Sequence, residues 1–305
     1  MDRRDFIRVA AAVAAAAPIA GVSLAGAWGE DHAVEVKRDL KKCLKIGMVQ
    51  VGDSIEEKFR LLKKIGFDGV ELDAPSGLDW REVLRAKEVI GFEIPGVVCS
   101  THWSSPLSVG DPEARRKGLE GVEIALRDCR LYGGSTVLLV PGVCNEDVSY
   151  QQAWERSTAE LRKLVPLCEQ LDVKIAFENV WNNFITDAEE AVRYVDQFDS
   201  PYFGWYFDIG NIVRYGEPAS WVKTLGKRLM KLDIKDYSRA KMKAEGVWRG
   251  FDCKIGDPDS SVGWAETMRA IDAIGYSGWG SAEVGGGNSD RLAEISRRMD
   301  DVFSR

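Results

Sequence analysis

Carboxylates gather at the ends of apolar runs in this chain, where an ionised side chain is costly to keep. Glu178 closes Ala176-Phe177-Glu178 and Asp208 closes Tyr206-Phe207-Asp208. Asp233 lies within Lys231-Leu232-Asp233-Ile234, with Asp236 just beyond, and Glu283 follows Ser281-Ala282. A carboxylate leaves water at a cost unless a cation or several donors meet it. Any one of these residues could cap the following helix or pair with a nearby Lys or Arg. A set of them, repeated at successive run ends, points to a shared site. A divalent cation is the simplest compensation.

Positioning them falls to a regular alternation. Short apolar runs recur at 43–48, 69–72, 94–99, 136–140, 174–177, 203–207, 229–234 and 278–282, eight in all. Amphipathic helical stretches separate them, for example at 54–65, 111–132, 149–171 and 264–274. Ser54 stands ahead of Glu57, and Asp111 precedes Pro112, both helix-start signals. Gly66, Gly133 and Gly275 fall where helices should stop. Eight βα units in 305 residues predict the α/β class and a single (β/α)8 TIM barrel, for which about 250 residues is usual. An open doubly wound sheet is the competing architecture. It needs a glycine-rich phosphate turn after the first strand, and Val49-Gln50-Val51-Gly52 is not one. In a closed barrel the carboxyl ends of the strands share one mouth, so carboxylates ending strands five to eight would meet there.

Composition narrows the partners. With 45% hydrophobic residues and 29% charged, the chain has the make-up of a folded globular protein. Lys plus Arg number 41 against 48 Asp plus Glu, and no basic block is available to neutralise a nucleic-acid backbone. The start is different in kind: Arg3-Arg4-Asp5-Phe6-Ile7, an Ala-rich run, then Ala25-Gly26-Ala27. This resembles a twin-arginine export signal with a small-residue cleavage site. The expected organisation is therefore a signal at 1–27, a linker at 28–42 and a barrel at 43–305, with the protein exported to the periplasm. The apolar run is short of the ~20 residues a membrane span needs, so no stable membrane insertion is expected once the signal is removed. The six cysteines show no CxxC spacing and read as buried free thiols rather than a disulfide framework.

Several phrases, in this order and at these strand ends, carry a family resemblance. They are His102-Trp103-Ser104-Ser105-Pro106-Leu107, Val137-Leu138-Leu139-Val140-Pro141-Gly142, Glu178-Asn179-Val180-Trp181, Phe207-Asp208-Ile209-Gly210-Asn211, Lys235-Asp236 and Ala282-Glu283-Val284. From about residue 43 to 304 the chain resembles the sugar phosphate isomerase/epimerase family of xylose-isomerase-like barrels, which includes pentulose-phosphate 3-epimerases and tagatose-type epimerases. The resemblance implies a metal site of Glu178, Asp208, Asp233 and Glu283. Two departures stand out: Asp233 occupies a place where the family usually has histidine, and Asn211 one where histidine often follows the strand-six Asp. Four carboxylates without an imidazole should prefer Mn²⁺ or Mg²⁺, or Ca²⁺, over Zn²⁺. They also carry more charge than one divalent ion cancels, an excess that Lys235 or Arg214 could relieve. The competing outcome of the Asp233 change is a weakened metal site.

The implied reaction is proton transfer beside a ketose carbonyl through an enediolate, with the metal as Lewis acid and Glu178 and Glu283 as the acid/base pair. His102, Glu71, Trp181, Arg214 and Lys235 are the expected substrate contacts, with Trp103 and Trp248 as further walls for a sugar ring. Each has a plainer reading: packing for His102 and the tryptophans, a helix cap for Glu71, a surface salt bridge for Arg214. Lys235-Asp236 would orient the strand-seven ligand. Export argues for an unphosphorylated carbohydrate substrate. A lyase or hydrolase of keto-glycosides using the same enolisation stays open, as do a non-catalytic carbohydrate-binding barrel and association into a homo-oligomer. The apurinic-site endonucleases built on this barrel are excluded, because they need several histidines and this chain has only His32 and His102.

Overall fold

The computed structural model describes residues 38–305; the expected export signal at 1–27 lies outside the described residues. Eight strands form one sheet: β1 (Leu40–Leu44), β2 (Leu72–Ala74), β3 (Gly96–Cys99), β4 (Thr136–Leu139), β5 (Lys174–Glu178), β6 (Phe203–Asp208), β7 (Leu229–Ile234) and β8 (Gly278–Ala282). The spatial order is β1-β8-β7-β6-β5-β4-β3-β2, and every laddered pair is parallel. Between β1 and β2 the ring closes through a parallel bridge at Lys45 and Glu71. There the Glu71 amide donates to the Leu44 carbonyl at 2.9 Å, and the Ile46 amide donates to the Glu71 carbonyl at 2.9 Å. This is the expected (β/α)8 barrel, with helices on its outer face.

The helix signals act as read. Ser54 and Glu57 form a reciprocal capping box on the helix Ile55–Ile65, and Asp111 caps Pro112–Tyr132. Gly66 and Gly133 stop these helices in the left-handed region, at φ of 101° and 78°. The expected helix at 149–171 is broken into Tyr150–Arg162 and Val165–Leu171. Pro166 is the cause, since its ring collides with the carbonyl four residues back, that of Arg162, and it has no N–H to donate.

The first strand begins earlier than the sequence suggested. It runs Leu40–Leu44 instead of 43–48, so three residues assigned to the linker belong to the barrel, and 46–48 form a 3₁₀ turn. The misleading residues are Lys41 and Lys42. Lys42 is buried despite its charge, with Nζ 2.9 Å from Ser296 Oγ and 2.7 Å from Asp300 Oδ2. The second strand is displaced too, to Leu72–Ala74, because the expected stretch at 69–72 is spent on bridges to the segments either side.

Alternation along the strands sorts the side chains. Ile175 and Phe177 of β5, and Phe203, Trp205 and Phe207 of β6, are buried in the large apolar core with the helices. Leu138, Ala176 and Tyr206 form a separate buried cluster, with Val98 and Met230 against it, filling the barrel interior. By the same period of two, Glu178 follows Ala176 to the inner face, and Asp208 follows Tyr206. All six cysteines are free and five are buried.

Backbones approach closely around the interior. A Cβ on Gly96 would collide with the Thr136 carbonyl and the Lys231 ammonium. Gly96→Ala is therefore expected to cost roughly 1–3 kcal/mol of stability, lowering the urea midpoint. Gly77→Ala, where a Cβ meets nothing within 4 Å, is the control. Equal midpoints for the two variants would contradict this packing argument.

Candidate active site

The barrel mouth at the carboxyl ends of the strands holds a cavity of about 580 Å³. Glu178 and Glu283 line it, and Asp208 and Asp233 lie buried beside them. Glu178, Asp208, Asp233 and Glu283 each offer an oxygen within 4.8 Å of the others. Register explains the convergence: Asp208 pairs with Asp233, and Asp233 with Ser281, two residues before Glu283 on the same face. Glu178, Asp208 and Asp233 are buried, while Glu283 keeps one side open to the cavity.

Asp208 divides its two oxygens between structure and site. Oδ1 accepts from the Asn211 amide at 2.8 Å, capping the short helix Ile209–Ile212. Oδ2 faces the cluster, where the Lys235 ammonium lies 2.9 Å away. Asn179 fixes this corner: its side chain donates to the Asp208 carbonyl at 2.8 Å and accepts from the Asp208 amide at 3.1 Å. Asn211 closes the loop by donating to the Asn179 carbonyl at 3.1 Å. The helix-cap reading was thus right for one oxygen of Asp208.

Two lysines enter the cluster. Lys235 Nζ is 2.9 Å from Asp208 Oδ2 and 2.7 Å from Glu283 Oε2, so it relieves charge as expected. The other is Lys45, which sequence reasoning missed. Its Nζ is 3.0 Å from Asp233 Oδ1 and 2.7 Å from Glu71 Oε2. The available signal was its place two residues past inward-facing Cys43, which a period of two carries to the barrel mouth beside Glu283.

The remaining expected contacts divide. His102, Trp181 and Lys235 line the cavity, as do Trp103 and Trp248. His102 Nδ1 accepts from the Val140 amide at 3.2 Å, which leaves the neutral ring its proton on Nε2. Glu71 is not a substrate contact: it is buried 2.8 Å from Lys231 and 2.7 Å from Lys45, and accepts from the Tyr206 hydroxyl at 2.7 Å. Arg214 neither relieves the cluster nor lines the cavity; it is exposed and stacks on Trp181 at 4.7 Å. Asp236 does not orient Asp233. It accepts from the Gly256 amide and the Trp264 indole, both at 2.8 Å, and so pins the loop that follows β7.

A second cluster of metal-type residues, Cys253, Asp257 and Asp259, is already committed: Arg298 holds Asp257 at 2.8 Å and Lys241 holds Asp259 at 3.0 Å. A wider depression of about 1120 Å³ lies at the opposite, amino-terminal end of the strands, around Thr136, Lys174 and Leu229. Large as it is, it lacks the carboxylates, and in this fold chemistry belongs to the other face.

Electrostatics set the four carboxylates apart. Burial pushes Glu178 well above the ordinary carboxylate range, and the charges of Glu283, Asp233 and Asp208 add to the shift. Burial likewise raises Asp233 well above its usual value despite the opposing Lys45. Asp208 rises to about 6, burial again outweighing Lys235. Glu283 moves the other way: burial opposes, but Lys235 and Lys45 hold it below its ordinary value. Burial lowers His102 to about 4, so it is neutral near pH 7.

With this geometry, the comparisons with known proteins decide the family. The profile of the xylose isomerase-like TIM barrel family matches residues 59–301. The chain belongs to that family. Among curated relatives it is similar to the L-ribulose-5-phosphate 3-epimerase UlaE of Escherichia coli O1:K1 / APEC, 28% identical over 192 residues. That match covers 57% of this chain and 66% of the relative, just under two thirds of its length. Among solved structures it is similar to the 3-keto-D-glucoside 4-epimerase YcjR from E. coli, with a TM-score of 0.70 at 16% identity, covering 88% of this chain and 100% of that one. It is also similar to the IOLI protein with a bound zinc atom, at a TM-score of 0.71 and 17% identity, covering 87% and 98%. At such identities the structural likeness speaks for the fold.

The raised carboxylates give this family site a pH signature. A carboxylate lifted from its ordinary 3.8 to about 6 contributes stability in full below 3.8, and loses it as pH rises through about 6. In metal-free protein, the stability of the native chain relative to Asp208→Asn is expected to fall across that window. Stabilisation by added Mn²⁺ should grow over the same range, because the ion competes with protons. Thermal unfolding with and without chelator reads both; a pH-independent difference between the two chains would sink the assignment.

Proposed function

We propose that this chain is a divalent-cation-dependent sugar epimerase or isomerase, moving a proton beside a ketose carbonyl. One observation carries the reading: four carboxylates converge beside the cavity with only two ammonium groups among them, so that Asp208 Oδ2 and Glu283 Oε2 share Lys235, Asp233 Oδ1 meets Lys45, and Asp233 Oδ2 is buried without a partner. Four acids meeting two ammonium groups leave negative charge and a buried acceptor over, and a cation fits both. Glu178, Asp208, Asp233 and Glu283 would hold it, and an all-oxygen donor set favours Mn²⁺ or Mg²⁺ over Zn²⁺. When bound, the ion would supply Lewis-acid polarisation of the substrate carbonyl and its neighbouring hydroxyl.

The chain's own groups do the rest. Glu178 on β5 and Glu283 after β8 reach the site from strands separated by β6 and β7, so one removes the proton and the other returns it from across the substrate carbon. Return to the same carbon is epimerisation; return to its neighbour is aldose–ketose isomerisation. His102 offers an Nε2 proton to a substrate oxygen. Trp181 presents an indole held by its hydrogen bond to the Asn211 carbonyl at 3.0 Å. The cations lining the cavity, Lys45 and Lys235, are both engaged by carboxylates, which supports a neutral sugar over a phosphorylated one. Together with the export signature at Arg3-Arg4, that supports work on unphosphorylated carbohydrate in the periplasm.

A second reading, cleavage of a keto-glycoside by the same enolisation, draws on Trp103 and Trp248. They line the cavity yet remain 54% and 68% exposed, apolar surface suited to a second ring.

Incubation in D₂O with a panel of ketoses and keto-glycosides, with and without Mn²⁺, tests these readings by NMR. Metal-dependent deuterium uptake beside the carbonyl is expected, falling about 10²–10⁴-fold in Glu283→Gln. Retained carbon skeletons with inverted or shifted centres support the isomerase, whereas a released aglycone supports the lyase. Absence of exchange with any substrate, in protein shown to be metal-loaded, overturns both.

A further inference from the structure

Both oxygens of Asp233 are buried: Oδ1 meets the Lys45 ammonium at 3.0 Å, and Oδ2 has no partner among the described residues. Lys45 is fixed from behind. Its ammonium lies 2.7 Å from Glu71 Oε2 and 3.2 Å from the Tyr206 hydroxyl, besides 3.0 Å from Asp233 Oδ1. Glu71 is in turn held by Lys231 at 2.8 Å and by the Tyr206 hydroxyl at 2.7 Å. The charges along Lys231, Glu71, Lys45 and Asp233 alternate in sign, running from the barrel interior up to the carboxylate floor.

This arrangement changes what Asp233 is to a cation. Alone it would add a fourth negative charge to a ring that one divalent ion cannot neutralise. Paired with Lys45, it presents Oδ2 as a donor while the pair as a whole carries no net charge. We infer that Lys45 and Asp233 act as one neutral ligand unit, in which Lys45 is the positioning residue that makes a carboxylate usable at the end of β7. The inference rests on the metal-site reading above and deepens it. It follows that a neutral donor cannot simply be substituted for Asp233. With Lys45 still anchored by Glu71 and Tyr206, its ammonium would face the incoming cation uncancelled.

The test is a double-mutant cycle on the full chain: native protein, Lys45→Met, Asp233→His and the double variant. Mn²⁺ affinity by calorimetry and the urea midpoint of metal-free protein are the two readouts. Asp233→His is expected to bind Mn²⁺ about 10–100-fold more weakly than native, because the Lys45 ammonium behind the ligand then faces the cation uncancelled. Lys45→Met is expected to lower the metal-free midpoint, because Asp233 is left buried without its counter-charge. The double variant should recover both: Mn²⁺ binding closer to native than in Asp233→His, and a midpoint above that of Lys45→Met. Loss of Lys45 also removes a partner from Glu71, but that effect is common to both arms of the cycle and cancels. Additive effects, or Asp233→His alone binding Mn²⁺ as well as native, overturn the inference while leaving the metal site standing. If none of the four proteins takes up Mn²⁺, the metal-site reading fails and this inference falls with it.

Discussion

The structure depends on keeping four carboxylates together at one end of a barrel, three of them buried away from water. Buried like charges repel strongly, and a carboxylate left without a partner is among the most destabilising features a fold can carry. The barrel answers with lysines from the ends of β1 and β7 and from within β7. Lys235 bridges Asp208 and Glu283; Lys45 meets Asp233; Lys231 supports Glu71, which supports Lys45. None of these contacts is local in sequence. Each exists only once the ring has closed.

Closure and electrostatics are carried by the same pair of residues. Lys45 and Glu71 form the backbone bridge that joins β1 to the segment leading into β2, and their side chains form the ion pair beneath the site. The weakest seam of the sheet, where no laddered strand pair exists, is thus reinforced by the charges that the site requires. This ties the stability of the barrel to the chemistry at its mouth: a site residue cannot change sign there without loosening the seam.

Much of this was legible in the sequence, for identifiable reasons. The apolar runs of the later strands, the glycine stops and the cap residues depend on local preference and short-range periodicity, and those expectations hold for the fold. The four convergent carboxylates were readable because each ends an apolar run, where an acid is conspicuous. What failed was set by tertiary contact. Lys42 looked like linker because a lysine whose ammonium finds Ser296 and Asp300 cannot be told from a solvated one, and its neighbour Lys41 is exposed. Glu71 looked like a substrate contact because its partners Lys45, Lys231 and Tyr206 come from three other strands or strand ends. Arg214 sits close in sequence to Asp208 but turns outward onto Trp181. Asp236, beside Lys235, serves the loop and not the site.

The commitment of the lysines also shapes which ligand the cavity suits. A phosphate needs cations or backbone donors free to receive it, and desolvating it without them is costly. Lys45 and Lys235 face the cavity but are already shared among carboxylates, so an anionic substrate would have to compete with the ring for the charges that stabilise it. A neutral sugar faces no such competition. It would place hydroxyls toward His102 and the carboxylate oxygens and its apolar face toward Trp181, with Trp103 and Trp248 beyond. On the proposed function, the charge balance that holds the four acids together would also make the mouth selective, since it leaves hydrogen bonding and aromatic contact as the means of recognition.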